Sequence, residues 1–247
     1  MFNTRADIFE ERADLYDAAI ARVPHARRAE FALVLDPLPL RAGFRLADLA
    51  AGGAYLWPPL RGLGIDYVAV EPTRAFFDRI PDEQGITALC RPIGATGLAD
   101  ASVDAVVSLA CLHHEPSLAP VFTEFRRILR PGGLAVIVDV EAGTANADFL
   151  NTYVAQHNPM GHDGTFFDGN TAALLAAVGF DIVEDRVHDI SWVFDDRETM
   201  GAFLRSLFGA VEATPAEMAS AAETRLGITD HSDGIALSWP LRRLICR

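Results

Sequence analysis

Apolar residues recur along this chain in two periods. From Thr4 to Val23, Ile8, Phe9, Leu15, Tyr16, Ala19, Ile20 and Val23 fall on one helical stripe among Asp, Glu and Arg, and Pro24 ends it. A second helix is expected over about Ala26 to Leu35, before Asp36-Pro37-Leu38-Pro39 stops the pattern. Short apolar runs then follow at Arg45 to Ala50, Tyr67 to Glu71, Ile86 to Cys90, Val103 to Leu109 and Leu134 to Val140, with helical or turn-rich stretches between them. Strands alternating with such segments predict an α/β fold with a parallel, doubly wound sheet. The two leading helices precede the first strand and are expected to cover its carboxyl end. The strongest helical pattern is Ser117 to Leu129, where Leu118, Val121, Phe122, Phe125, Ile128 and Leu129 keep one face before Pro131-Gly132-Gly133 turns the chain.

After Val140 the periodicity breaks over Glu141 to Gly169, a stretch rich in Asn, His, Gly and Asp. A long polar connection inside a compact domain is more often functional than idle. A helix over Thr171 to Val178, capped by Asn170, leads through Gly179-Phe180 into a strand running to about Val193. Asp195-Asp196-Arg197-Glu198 and Thr214-Pro215-Ala216-Glu217 start two more helices, Gly227 closes the second, and Ile235 to Cys246 reads as a last strand. Without a repeat or a low-complexity linker, the chain is expected to form one domain over 1–247. Its embellishments are a helical cover at 1–40, a substrate-loop insertion at 141–169 and a helical insertion at 194–234.

The chemistry centres on residues 45–71. A short strand breaks into the small-residue turn Ala50-Ala51-Gly52-Gly53-Ala54, and the next strand delivers Glu71 about twenty residues on. Small residues let the backbone approach a ligand, and a carboxylate at a strand end can accept both ribose hydroxyls. A dinucleotide turn would need Gly-x-Gly-x-x-Gly, but positions 50, 52 and 55 are Ala, Gly and Tyr. Histidines form the second theme. His157 and His162 lie in the long polar stretch, next to Asp163, and His supplies a base near neutrality without tuning. His113-His114-Glu115 follow the fourth strand; adjacent residues rarely converge on one ion, and no other cluster has ligand spacing, so no metal is predicted.

Composition narrows the field. Thirty-four acids against 21 bases give a net charge of −13, which favours a small-molecule substrate over nucleic acid or an anionic membrane. All 21 bases are Arg, so Schiff-base, pyridoxal-phosphate and Walker A lysines are excluded. Cys90, Cys111 and Cys246 lie far apart and predict neither zinc nor a disulfide framework. With no bilayer-length apolar run and a polar, acidic start, the chain is expected to be soluble, unexported and cytoplasmic.

Five motifs in this order resemble a class I S-adenosylmethionine-dependent methyltransferase of the small-molecule, ubiquinone-biosynthesis-like type. They are Asp48-Leu49-Ala50-Ala51-Gly52-Gly53-Ala54, Val70-Glu71, Ala101-Ser102-Val103-Asp104-Ala105-Val106-Val107-Ser108, Leu112-His113-His114, and Glu124 through Gly133 ending in Arg130-Pro131-Gly132-Gly133. The resemblance implies a Rossmann-like seven-stranded sheet with the last strand antiparallel. It also implies methyl transfer to an O, N or C atom, with S-adenosylmethionine as cofactor and S-adenosylhomocysteine as product. Cofactor contacts are then expected from Asp48, Ala50, Gly52, Gly53, Glu71, Ser108 and Ala110, catalytic roles from His113, His114 and His162, and substrate contacts from Tyr16, His157 and Asp163. The implied partner is a small molecule, with homodimer formation left open. Two departures stand out: Ala50 and Ala54 replace glycines of the family's loop, and Cys90-Arg91-Pro92-Ile93-Gly94-Ala95 lacks the acid often placed against adenine. An extra methyl is tolerable at negative φ but costs affinity or blocks the site where φ must be positive. A methyltransferase-like binding or partner protein without transfer activity, or an enzyme using the cofactor as a scaffold, are the alternatives these departures raise.

Overall fold

The computed structural model describes residues 5–247, with side chains described from Arg12 onward. Helices α1 (Arg5–Arg22) and α2 (Arg28–Leu35) lead into β1 (Arg45–Leu49), followed by β2 (Asp66–Val70), α3 (Arg74–Phe77), β3 (Ile86–Leu89) and β4 (Val103–Leu109). A 3-10 turn, Leu112–His114, precedes α4 (Leu118–Ile128) and β5 (Leu129–Asp139). Next come α5 (Ala145–Phe149), a π-helical turn Leu150–Val154, α6 (Ala155–His157) and α7 (Gly169–Ala177). The chain closes with β6 (Ile182–His188), β7 (Ser191–Phe194), α8 (Arg197–Leu207), α9 (Pro215–Leu226), β8 (Ile228–His231), β9 (Gly234–Ser238) and β10 (Leu241–Cys246).

Seven strands form one sheet in the order β3-β2-β1-β4-β5-β10-β6. β10 runs antiparallel to both β5 and β6, whereas β1 to β5 pair in parallel. The expected doubly wound sheet with an antiparallel last strand is therefore present. Successive residues face opposite sides: Leu46, Tyr67, Val107 and Val136 join one apolar cluster, while Ala47, Val68, Val106 and Ile137 join the other. Burial on both faces is why these strands read as unbroken apolar runs.

Four details differ from the sequence reading. The strand expected up to Val193 is two strands in different sheets, because the chain turns at Asp189 and Ile190 and β7 pairs with β9 instead. The last segment is likewise split by Trp239-Pro240 into β9 and β10, so the 194–234 insertion packs its two helices beside a three-stranded sheet, β7-β9-β8. Within the polar stretch after Val140, Ala145 to His157 is helical, and its π turn masks the helical period. Helix α7 is capped by Asp168, not Asn170: the Asp168 carboxylate accepts from the Asn170 amide in a capping box with Thr171.

The link from β1 to β2 carries no α-helix, only turns and the 3-10 turn Pro58–Leu60. Within it Ala50 and Ala54 adopt φ of 65° and 61°, beside Gly52 at 57°. The backbone thus takes the left-handed path that glycine favours, with alanine at two of its corners. Each such alanine costs roughly 1–2 kcal/mol in sterics, partly offset by the lower unfolded-state entropy of alanine. Ala50→Gly should therefore raise stability by about 1 kcal/mol and the thermal midpoint by about 2–4 °C. Ala51→Gly, at a neighbouring position outside the left-handed region, should lower both. Equal shifts in the two variants, read by thermal denaturation, would contradict this loop geometry.

Candidate functional site

A cavity of about 540 Å³ opens at the carboxyl ends of β1, β2 and β4. This is where an open α/β sheet presents its ligands, and the volume suits one small organic molecule or cofactor. One end is lined by Asp48, Ala50, Ala51, Gly52 and Glu71, and the other by His113, His114 and His162. Tyr16 on α1 and Glu30 and Phe31 on α2 line a third side, so the leading helices do cover the strand ends.

The first end is acidic and buried. Glu71 is tied in place by two backbone amides: Gly52 N–H donates to Oε2 at 2.8 Å and Thr73 N–H to Oε1 at 2.8 Å. Asp48, also buried, accepts from the Tyr67 hydroxyl. Burial pushes the Asp48 carboxyl up to about 7; the Tyr67 hydrogen bond opposes the rise and the Glu71 charge adds to it. Two acids held this close favour a cation between or beside them. A sulfonium cofactor with a free ammonium fits that requirement. It also carries no phosphate, so it loses nothing from the missing helix N-terminus after β1, whereas a pyrophosphate would. The residues present therefore fit S-adenosylmethionine better than a dinucleotide.

At the other end, Asp139 at the end of β5 accepts three hydrogen bonds. They come from His113 Nδ1 at 2.6 Å, His113 N–H at 3.2 Å and Val140 N–H at 2.7 Å. His162 is placed by the π turn: its Nδ1 lies 2.8 Å from Asn151 Oδ1, which also accepts from Gly164 N–H at 2.9 Å, while Asn151 Nδ2 donates to Gly164 O at 3.0 Å. The ring centroids of His113, His114 and His162 lie 4.1 to 5.6 Å apart. The three histidines named from sequence thus meet in one place.

Other named residues are distributed differently. Asp48, Ala50, Gly52, Glu71, Ala110 and Tyr16 line the cavity; Gly53, Ser108, His157 and Asp163 do not. Ser108 is buried, and its hydroxyl donates to Leu49 O at 3.1 Å, pinning β4 to β1. The face of Gly53 is covered by the Tyr55 ring, which a Cβ would meet at 3.1 Å. His157 packs on Tyr153 with centroids 4.2 Å apart, and Asp163 is exposed beside His162.

The sequence reading missed an aromatic and ionic wall. Trp192 and Trp239 stack at 4.3 Å with Phe208 beside them, all three lining the cavity. Arg27 makes a bidentate pair with Glu30, both bonds at 2.7 Å, and also donates to Tyr16. The Trp192 indole nitrogen is buried without an acceptor among the described residues. The only hint of this in sequence is an Arg-x-x-Glu pair among apolar neighbours, a pattern more common on solvated helices.

Residues 47–137 match the methyltransferase domain family. With the sheet order and the strand-end site, this match is that of the class I methyltransferase fold, to which residues 47–137 are similar. Among curated proteins, a ubiquinone biosynthesis O-methyltransferase from Cereibacter sphaeroides is 35% identical over 105 residues, covering 40% of this chain and 42% of that protein. The chain thus spans less than half the length of that relative. Among solved structures, a Bacillus halodurans C-125 protein provisionally assigned as a methyltransferase superposes with a TM-score of 0.64 at 15% identity, covering 89% of this chain and 98% of that one. A Haemonchus contortus phosphoethanolamine N-methyltransferase, in complex with phosphomonomethylethanolamine and S-adenosylhomocysteine, gives a TM-score of 0.62 at 14% identity, covering 99% and 60%. No helix among the described residues is long and apolar enough to cross a membrane.

The raised Asp48 value has a measurable sign. Folded Asp48 keeps its proton up to about pH 7, while an unfolded carboxyl releases it near 3.8. Between those values the folded state holds the extra proton, so stability falls as pH rises through this window and levels off above it. Asp48→Asn removes that titration. Denaturant unfolding at about pH 5 and about pH 8 should show the variant gaining on the parent at the higher pH; a pH-independent difference would refute the assignment.

Proposed function

We propose that this protein transfers a methyl group from S-adenosylmethionine to an O, N or C atom of a small, flat, largely apolar molecule. The observation that carries the reading is one continuous cavity with a pair of buried carboxylates at one end and three histidines at the other. When bound, the cofactor supplies a methyl on a sulfonium: the acceptor's lone pair forms the new bond while the carbon–sulfur pair returns to sulfur, leaving a neutral thioether.

The chain's own residues supply alignment, charge and exclusion of water. Glu71 accepts the ribose hydroxyls and Asp48 faces the cationic methionine portion. Ala50 to Gly52 keep the backbone close to the ligand. The stacked Trp192 and Trp239 with Phe208 suit an aromatic or otherwise planar acceptor, and the buried indole N–H of Trp192 calls for a hydrogen-bond acceptor on that molecule. On the acceptor side, His113 Nδ1–H donates a hydrogen bond to the carboxylate of Asp139, so its Nε2 carries the lone pair that can accept a proton from an O–H or N–H nucleophile.

Calorimetric titration tests this reading. S-adenosylmethionine and S-adenosylhomocysteine should each bind one per chain, and Glu71→Ala should weaken both by at least about tenfold, the loss of charge-assisted hydrogen bonds to the ribose. Failure of either ligand to bind at millimolar concentration would refute the transferase reading and leave a partner or scaffold role.

A further inference from the structure

We propose that His113, His114 and His162 form a binding site for a divalent transition-metal ion of the zinc type, open toward the cavity. One ring nitrogen from each residue lies within 4.8 Å of the others. A tetrahedral ion with metal–nitrogen bonds near 2.0–2.1 Å needs nitrogens roughly 3.3 Å apart, so the rings must close by about 1.5 Å at most. His114 and His162 are half-buried and can make that movement, while His113 is buried and fixed.

What distinguishes this cluster from three histidines that merely pack is the support behind two of them. Metal-ligating histidines usually donate their second N–H to a carboxylate or an amide oxygen, which fixes tautomer and ring orientation. His113 has that arrangement with Asp139 at 2.6 Å. A carboxylate only accepts, so Nδ1 holds the proton and Nε2 the lone pair. His162 has it with Asn151. The carboxamide orientation is set independently, because Gly164 offers its N–H to Oδ1 and its carbonyl to Nδ2. Oδ1 therefore faces His162 Nδ1, which must donate, and Nε2 again carries the lone pair. Two imidazoles are thus preset as neutral Nε2 ligands by groups from different elements, β5 and the π turn.

Three imidazoles leave one coordination position of a tetrahedral ion for a further ligand, the pattern of catalytic rather than structural zinc. All three line the cavity that also holds the Asp48 and Glu71 end. Resting on the methyl-transfer reading, the ion's role follows from charge: with the His113 Nε2 lone pair given to the metal and no longer serving as a base, the ion would bind the acceptor's hydroxyl and lower its pKa, the proton passing to solvent, much as zinc lowers the pKa of bound water to about 7. The substrate class then narrows to molecules that present a hydroxyl or another anionic oxygen as nucleophile. Imidazole ligands suit Zn²⁺, Co²⁺, Ni²⁺, Cu²⁺ or Fe²⁺ over Mg²⁺ or Ca²⁺.

Cobalt titration of tag-free, chelator-stripped full chain tests the site. Co²⁺ should bind one per chain with the visible bands of a nitrogen-ligated, near-tetrahedral ion, and Zn²⁺ should displace it. His162→Ala should weaken cobalt binding more than 100-fold and Asn151→Ala by about 10–100-fold, whereas the exposed His231→Ala should leave it unchanged. S-adenosylhomocysteine affinity, measured on the same proteins, checks that each variant is folded and separates the two readings. A chain that binds cobalt through His162 but no S-adenosylhomocysteine keeps the metal site and loses the transferase. Absence of visible bands at millimolar cobalt, or equal binding by parent and His162→Ala, overturns the metal site.

Discussion

The tie between Glu71 and the amide of Gly52 is the contact on which the acidic end of the cavity depends. It crosses the short link between β1 and β2 and holds the small-residue turn against the end of the neighbouring strand. Without a helix in that link, nothing else of comparable regularity fixes the turn. The amides of Ala50 and Ala51 add to the same closure by donating to Val70 O at 2.9 and 3.1 Å. Together these bonds hold Ala50 and Ala54 in a backbone region they would leave if released. The loop that looks impoverished by its alanines is thus held in a left-handed path by hydrogen bonds to β2. The alanine methyls tax stability, and they do not redirect the chain.

Much of this was legible in sequence, and the reasons are physical. Strands β1, β2, β4 and the second half of β5 stood out because they are buried on both faces, which leaves no alternation to confuse with a helix; the edge strand β3 stood out only as a short apolar run. Helix α4 stood out because its apolar face is regular; the Pro131-Gly132-Gly133 expected to turn the chain after it lies instead within β5, which starts at Leu129 directly after the helix. Glu71 followed from its distance from Gly52, and His113, His114 and His162 from their residue type in polar stretches beside strands. What stayed hidden depended on pairing between distant segments. Nothing local tells that Trp192 stacks on Trp239, or that Arg27 and Glu30 are buried against Tyr16. The π turn hid a helix because its extra residue per turn carries Phe149, Leu150 and Val154 out of the usual register. Ser108 and Gly53 were assigned to the cofactor by position in a motif, but one pins two strands and the other lies under a tyrosine ring.

The separation of charge across the cavity ties the two ends into one arrangement. Acids at the β1 and β2 end suit a cationic donor, while the imidazoles oriented by Asp139 and Asn151 face the other end of the same cavity. The supports come from β5, the π turn and the leading helices, so the site is assembled only when all of these have docked. An insertion that reads as a polar loop is in this sense a positioning element: it supplies Leu150 to the wall, Asn151 to a ring nitrogen and His162 to the cluster.

The aromatic wall has an optical consequence. The chain has three tryptophans: Trp192 and Trp239 are stacked on the cavity surface, and Trp57, buried within the β1–β2 link, donates its indole N–H to Glu83 at 2.8 Å. Intrinsic fluorescence therefore comes from two emitters that line the cavity and one that does not. Filling of the cavity can be followed without a label, against a built-in internal reference.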